Sequence, residues 1–317
     1  MDLVTIVIPV YNRPALLRRA VASALAQTYR PIEIVIVDDG STDETPQVAA
    51  ELERAHDEVI VIRQPNGGPG AARETGRSAA RGAFVQYLDS DDLLLSHKLE
   101  LQMRALAAAP RAGAAYGRTR YRDRDGNEIA CTWKPLLAGE TAILPHFLRG
   151  RLWETVSPLY RAAAVDAAGP WTSRRLEEDW EYDCRVGALA IELVFVPEIV
   201  AEHRDDAADR LSRGEALDPQ RLRDRAAAHE SIYASAQRAG IGNDAPEMRH
   251  FARELFLLAR QCGAAGLPAE SRRLFELARA ASEARGRAQF RAYATLARLV
   301  GWTRAGKLAC LSDRLRW

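Results

Sequence analysis

The stretch Phe84-Val85-Gln86-Tyr87-Leu88-Asp89-Ser90-Asp91-Asp92 runs an apolar strand into three carboxylates. Like charges this close repel unless a cation lies among them. Hard divalent cations take oxygen ligands, commonly one or two carboxylates plus the phosphates of a substrate. The stretch therefore reads as a metal–diphosphate site at a strand end. The competing reading is a solvated acidic turn before a helix that begins near Ser96. A second strand end repeats the pattern. Ile34-Val35-Ile36-Val37 is a continuous apolar run, as in a strand buried on both faces of a parallel sheet, and it stops at Asp38-Asp39-Gly40-Ser41-Thr42-Asp43. Ligands of open α/β sheets bind outside the carboxyl ends of the strands, so both acidic clusters are expected to face one crevice.

Around these two stretches strand and helix alternate. The spacing predicts strands over 4–8, 32–37, 58–63 and 83–88, with helices over 14–28, 43–55 and 70–81 between them, hence an α/β fold with a mostly parallel sheet and flanking helices. Leu17, Ala20, Val21, Ala24 and Leu25 mark the core face of the first helix. Ser41-Thr42-Asp43-Glu44 reads as a capping box for the second. Asn66-Gly67-Gly68-Pro69-Gly70 precedes the third, and its glycines permit either a phosphate cradle or a tight αβ turn. It lacks the Lys-Ser or Lys-Thr ending of a P-loop.

From about 113 to 205 the pattern loosens. Ala114–Tyr121 and Glu128–Trp133 flank the turn pair Asp125-Gly126, Leu193–Val196 is a further strand, and Leu176–Asp183 is an acid-rich helix start. After the N-cap pair Asp218-Pro219 the chain turns Ala- and Arg-rich with helical periodicity. Two domains are expected, residues 1–210 and 219–317.

Net charge is +1, yet residues 219–317 hold 18 Arg or Lys against 9 Asp or Glu, while residues 1–218 hold 26 against 34. No nucleic-acid module accompanies the basic part, so no nucleic-acid partner is expected. Cys131, Cys184, Cys262 and Cys310 form no Cys-x-x-Cys pair, which argues against structural zinc and for a reducing compartment. No run of 18 apolar residues exists, and the first strand begins without a charged leader. The expected location is cytoplasmic.

Thr5-Ile6-Val7-Ile8-Pro9-Val10-Tyr11-Asn12, Gln27-Thr28-Tyr29, Val37–Asp43, Ala72-Arg73, Leu88–Asp92 and Glu178-Asp179 stand in the order and spacing of the family 2 glycosyltransferases. The resemblance spans roughly residues 3–205. It implies the GT-A fold, a nucleotide-sugar donor, Mn²⁺ or Mg²⁺, and inversion at the anomeric carbon. It places Pro9, Tyr11 and Asn12 near the nucleoside, Asp39 on the base (usually uracil), and Arg73 on the nucleotide side. Asp89 meets the ribose or a metal-bound water, and Asp91 coordinates the metal. Asp179 matches the catalytic base, with Glu178 as its substitute. His203 lies where relatives carry a basic, His-containing segment and reads either as a metal ligand or as a solvent-facing loop histidine. Arg204, Arg210 and Arg213 are candidates for a lid over the phosphates.

The resemblance leaves the acceptor open: a glycan or lipid-linked acceptor in surface polysaccharide or glycoconjugate synthesis. Residues 285–317 carry eight Arg or Lys against Asp313 alone, interleaved with aromatic and leucine residues. They read either as an anionic-membrane contact at the inner face of the membrane or as a packed terminal helix with a solvated basic face. Two other functions compete. A nucleotidyltransferase calls for a basic, glycine-rich activating motif near the N-terminus, which Asn12-Arg13-Pro14 is not. A catalytically lapsed GT-A scaffold would lack a metal carboxylate or base, whereas Asp39, Asp91 and Asp179 are all present.

Overall fold

A computed structural model describes residues 1–123, 125–129, 139–204, 215–282 and 287–314. Residues 130–133 of the expected hairpin, together with Arg210 and Arg213, lie outside the described residues. The chain divides into two compact units. The first comprises Met1–Ile143, Arg151–Arg174 and Leu189–Asp209; the second comprises Leu144–Gly150, Arg175–Ala188 and Arg210–Trp317.

The first unit is built on a mixed sheet. Its opening half follows the alternation in the sequence: β1 (Val4–Val10), α1 (Pro14–Leu25), β2 (Ile32–Asp38), α2 (Thr45–Ala55), β3 (Val59–Arg63), α3 (Pro69–Ala79) and β4 (Phe84–Tyr87). Every residue of β1 and β2 is buried, as their unbroken apolar runs require. Then come β5 (Leu93–Leu94), α4 (Lys98–Ala108), β6 (Ala112–Arg122), β7 (Glu128–Ile129), β8 (Leu159–Arg161), α5 (Ala162–Ala168) and, after a segment of the second unit, β9 (Glu192–Arg204). The spatial order is β3-β2-β1-β4-β8-β6-β9-β5, with β7 paired to β6. β1 to β4 are mutually parallel, as expected. Beyond β4, among the described residues, only β6 and β9 pair in parallel, and the short strand β8 runs antiparallel to both β4 and β6. Because the chain steps from β1 outward to β2 and β3 and then returns to the other flank of β1 at β4, the carboxyl ends of these strands frame a topological switch point.

Helix α3 lies close on β1. A Cβ built on Gly76 would come 2.2 Å from Val7 Cγ1, so only glycine permits this separation. The expected capping box of α2 is corrected. Its N-cap position is Glu44, without a side-chain cap. The Ser41 hydroxyl instead accepts the backbone N–H of Asn12 at 2.9 Å, and Asp43 accepts the N–H of Thr45. Elsewhere in the sheet unit a fully buried Lys98 donates to Ser157 O at 2.7 Å and to the Gln102 side chain, and burial lowers its pKa.

The second unit is helical: α6 (Glu178–Gly187), α7 (Pro219–Arg238), α8 (Pro246–Ala264), α9 (Pro268–Ala280), α10 (Arg287–Val300) and α11 (Trp302–Arg314), with a short 3₁₀ turn at His146–Arg149. Helices α7, α8 and α9 each begin with proline, where the missing N–H costs nothing. Asp218 caps α7 by accepting the N–H of Arg221 at 2.7 Å. The core of α8 to α11 is aromatic, with Phe256 5.0 Å from Phe290 and Phe275 5.3 Å from Trp302 between ring centroids. Helix α11 crosses α8 at backbone contact: a Cβ on Gly306 would lie 2.4 Å from Ala264 N. No helix of the described residues is long and apolar enough to cross a membrane.

Candidate active site

At the end of β1 the chain turns through Asn12, whose φ of 52° is left-handed. An Asn side chain tolerates that conformation because it can hydrogen-bond locally. Asn12 Oδ1 accepts the Thr42 N–H at 2.8 Å, and the Arg13 N–H reaches Thr45 Oγ1 at 2.9 Å. The β1 end is thereby tied to the β2–α2 loop. Pro9 lies in the buried strand opposite Val37, whereas Tyr11 is exposed. Asp39 is buried, and its carboxylate gathers the loop before α3: Oδ1 accepts Gln64 Nε2 at 2.8 Å and the Gly67 N–H at 2.9 Å, and Oδ2 accepts the Gly68 N–H at 2.8 Å. These two glycine amides close on a protein carboxylate, so of the two readings of Asn66–Gly70 the tight turn fits and the phosphate cradle does not.

The three carboxylates after β4 each meet a different basic side chain. Asp89 Oδ1 accepts Arg73 Nη2 at 2.7 Å. Arg73 is buried, with its guanidinium 4.9 Å from the centre of the Trp171 ring. Burial works to raise the Asp89 pKa, but Arg73, aided by Arg151 and His203, more than reverses this and holds it below the usual carboxylate range. Asp91 pairs with Arg13 at 3.1 Å. Asp92 is buried with His203 Nδ1 2.9 Å from its Oδ1, and burial drives its pKa up to about 6, with Asp91 and Asp89 adding to the rise and His203 opposing it. The sheet unit thus brings Pro9, Tyr11, Asn12, Asp39, Arg73, Asp89, Asp91 and His203 to the strand ends. Arg13 and Asp92 were not singled out as site residues from sequence. Asp92 stood in the motif, and the cation-bearing Arg13 directly follows Tyr11-Asn12.

Among the described residues no three His, Cys, Asp or Glu side chains converge on a point that could hold a metal by themselves. The donor chemistry fits a different arrangement. Asp91 is partly exposed, and a hard cation such as Mg²⁺ is commonly held by one or two carboxylates together with substrate phosphates.

Glu178 and Asp179 belong to the second unit, in the first turn of α6. Glu178 is buried, whereas Asp179 is partly exposed and its Oδ1 accepts the Trp180 N–H at 2.7 Å. The residue before them, Glu177, takes a left-handed φ of 58°.

An α/β sheet with its acidic groups at the carboxyl ends of β2 and β4, beside the end of β1, is the GT-A architecture of nucleotide-sugar transferases. Over 98% of its length the chain superposes on 92% of TarS 1-349 from S. aureus, solved in complex with UDP, with a TM-score of 0.69 at 17% identity. It also resembles the mannosyltransferase PcManGT from Pyrobaculum calidifontis, solved with GDP-Man and Mn²⁺: TM-score 0.54, 20% identity, covering 99% of this chain and 87% of that one. Residues 5–160 match the model for glycosyl transferase family 2, and through them the chain belongs to that family. Chondroitin synthase of Escherichia coli is 36% identical over 160 residues, covering 48% of this chain and 23% of the synthase. The chain spans about half the length, or less, of the curated relatives it matches.

Proposed function

We propose that the chain is a metal-dependent inverting glycosyltransferase that takes a sugar from a nucleoside-diphosphate donor, UDP-linked in the first instance, to an acceptor hydroxyl of a surface glycan or glycoconjugate. The observation that carries this reading is the family match over the same strand ends that hold Asp39, Asp89 and Asp91. Asp39, fixed by the Gly67 and Gly68 amides, is the carboxylate for a pyrimidine N–H. Tyr11 and Asn12 flank the nucleoside, with Pro9 beneath them. Arg73 and Asp89 form the ribose side. Asp91, with His203, would hold Mn²⁺ or Mg²⁺, which when bound neutralises charge growing on the departing diphosphate. Asp179 takes the proton of the acceptor hydroxyl; its partial exposure suits that task better than the burial of Glu178. A base on the side opposite the leaving group makes a single displacement, and so inversion, the expected course.

Helices α10 and α11 add a partner to this reading. Leu299, Leu308 and Leu311 are 78%, 50% and 56% exposed, and Arg298, Arg304 and Lys307 are exposed beside them in sequence, with no acidic residue between 287 and 312. Leucines bordered by cations complement an anionic lipid surface. Flotation with phosphatidylglycerol vesicles is expected for the intact chain and reduced when the three cations are changed to Gln. Equal flotation of both would remove the membrane from the account.

A thermal-shift panel of UDP, GDP, dTDP and UDP-sugars, with and without Mn²⁺ or Mg²⁺, tests the central reading. Metal-dependent stabilisation by one nucleotide is expected. A flat response to every nucleotide in either metal would favour the lapsed-scaffold alternative.

A further inference from the structure

We propose that helix α7 is the positioning scaffold for the catalytic base, and that Glu177, Arg225 and His229 are the residues through which it acts. The inference rests on the reading of Asp179 as that base. Four side chains of α7 hold the segment that leads into α6. Asp224 Oδ2 accepts the Arg175 N–H at 3.2 Å, and Arg225 Nε donates to Glu177 Oε1 at 2.8 Å. His229 Nδ1 stands 3.1 Å from Glu177 Oε2 and 2.9 Å from Arg225 O, and the Ser231 hydroxyl donates to Glu181 Oε1 at 2.6 Å. Both neighbours of His229 Nδ1 are acceptors, so that nitrogen carries the proton.

The ring that delivers this contact is itself fixed. His229 is buried, lies stacked on Phe251 with centroids 5.4 Å apart, and meets the Trp180 ring edge-on at 5.2 Å. Trp180 in turn donates its indole N–H to Phe147 O at 2.8 Å. Asp179 therefore sits between two residues whose side chains are anchored, Glu177 and Trp180. Glu177 is held in a left-handed backbone conformation that is unfavourable for a non-glycine residue, and such a conformation persists only where surrounding contacts over-determine it. The pair of contacts from Arg225 and His229 supplies that determination. Burial would raise the Glu177 pKa; His229 and Arg225 more than reverse it, so the carboxylate stays ionised and the clamp stays closed. Glu177 and Glu181 meet side chains of α7, and the first turn of α6 is thereby set with Glu178 buried and Asp179 partly exposed.

The test separates turn geometry from the clamp. Glycine adopts the left-handed conformation without steric cost, so Glu177→Gly keeps the turn accessible while deleting the carboxylate. In hydrogen–deuterium exchange of the full chain, the amides of residues 176–187 are expected to exchange at least tenfold faster in Glu177→Gly and in Arg225→Gln, with peptides of β1 and β2 unchanged. With the donor selected by the nucleotide panel and water as acceptor, both variants are expected to lose at least tenfold in kcat while donor KM stays within twofold. Glu177→Asp, which retains the charge, is expected to recover part of the loss. Wild-type exchange over 176–187, or wild-type kcat in both variants, would overturn the proposal. Asp179→Asn is run beside them: full activity in that variant defeats the base assignment itself, whatever the exchange data show.

Discussion

Two acidic runs, one after β4 and one opening α6, look alike in sequence and are managed in opposite ways. After β4, Asp89, Asp91 and Asp92 each meet a different basic side chain, namely Arg73, Arg13 and the His203 imidazole. At the start of α6 Glu177 and Glu181 meet basic and hydroxyl side chains, while Asp179, between them, accepts the Trp180 N–H and is partly exposed. The first arrangement suits a site whose counter-charges yield to an incoming cation and diphosphate. The second suits a single group that must exchange a proton with an acceptor. A carboxylate run is thus not one kind of site; the partners its members meet decide its use.

The sharpest way to break this contrast is Asp179→Asn. It is expected to lower turnover about 10²–10⁴-fold, the usual contribution of a general base, while the nucleotide-induced shift in Tm stays at the wild-type value. Turnover within threefold of wild type would erase the distinction between the two runs. Arg73→Met removes the hydrogen-bonded cation of Asp89 and should cost roughly 3 kcal/mol, the low end for breaking a buried pair because Asp89 keeps some exposure. Urea unfolding measures it, and adding Asp89→Asn should restore much of the loss. If the double variant is no more stable than Arg73→Met, the pair is not the cause.

Asp91→Ala sharpens the first half of the comparison. At nucleotide a hundredfold above its dissociation constant, the wild type should gain about 2.7 kcal/mol with Mn²⁺ and the variant little of it. A metal-dependent gain of equal size in both would move the metal off Asp91. The smallest effect concerns pH. Glu177 has a folded pKa below its ordinary 4.5, so its contribution to stability is present above that value and is lost as pH falls through the lower folded pKa. Glu177→Gln should lower Tm near pH 7 and flatten its fall below pH 4.5. Parallel Tm curves for the two proteins would show that the clamp carries no charge-linked stability.

Much of the sheet was legible because β1 and β2 are unbroken apolar runs, a signal that depends on no partner. The strands beyond β4 were harder. Leu93–Leu94 and Leu159–Arg161 are too short to show a period, and β9 continues past Val196 through Pro197 and Glu198 with its register to β6 shifting on the way. Ser41 and Thr42 misled as a capping box because local spacing cannot reveal that Asn12, 29 residues earlier, claims the Ser41 hydroxyl. The same limit hid the cations. Asp89 and Asp91 stood out in the motif, but nothing in the chain order joins Arg13 to Asp91 or His229 to Glu177. Those pairings exist only once β1 lies beside β4 and α7 beside α6.

Gly76 sits one helical turn after Arg73, pressed on Val7. It works as a shim of zero thickness: the height of the Arg73 guanidinium over the sheet is set by a missing methyl three residues away. Gly76→Ala would lift α3 and draw that guanidinium off Asp89 without altering a single charge. A search for tolerated substitutions guided by polarity would pass over the position, yet the electrostatic alignment of the strand ends is gauged there.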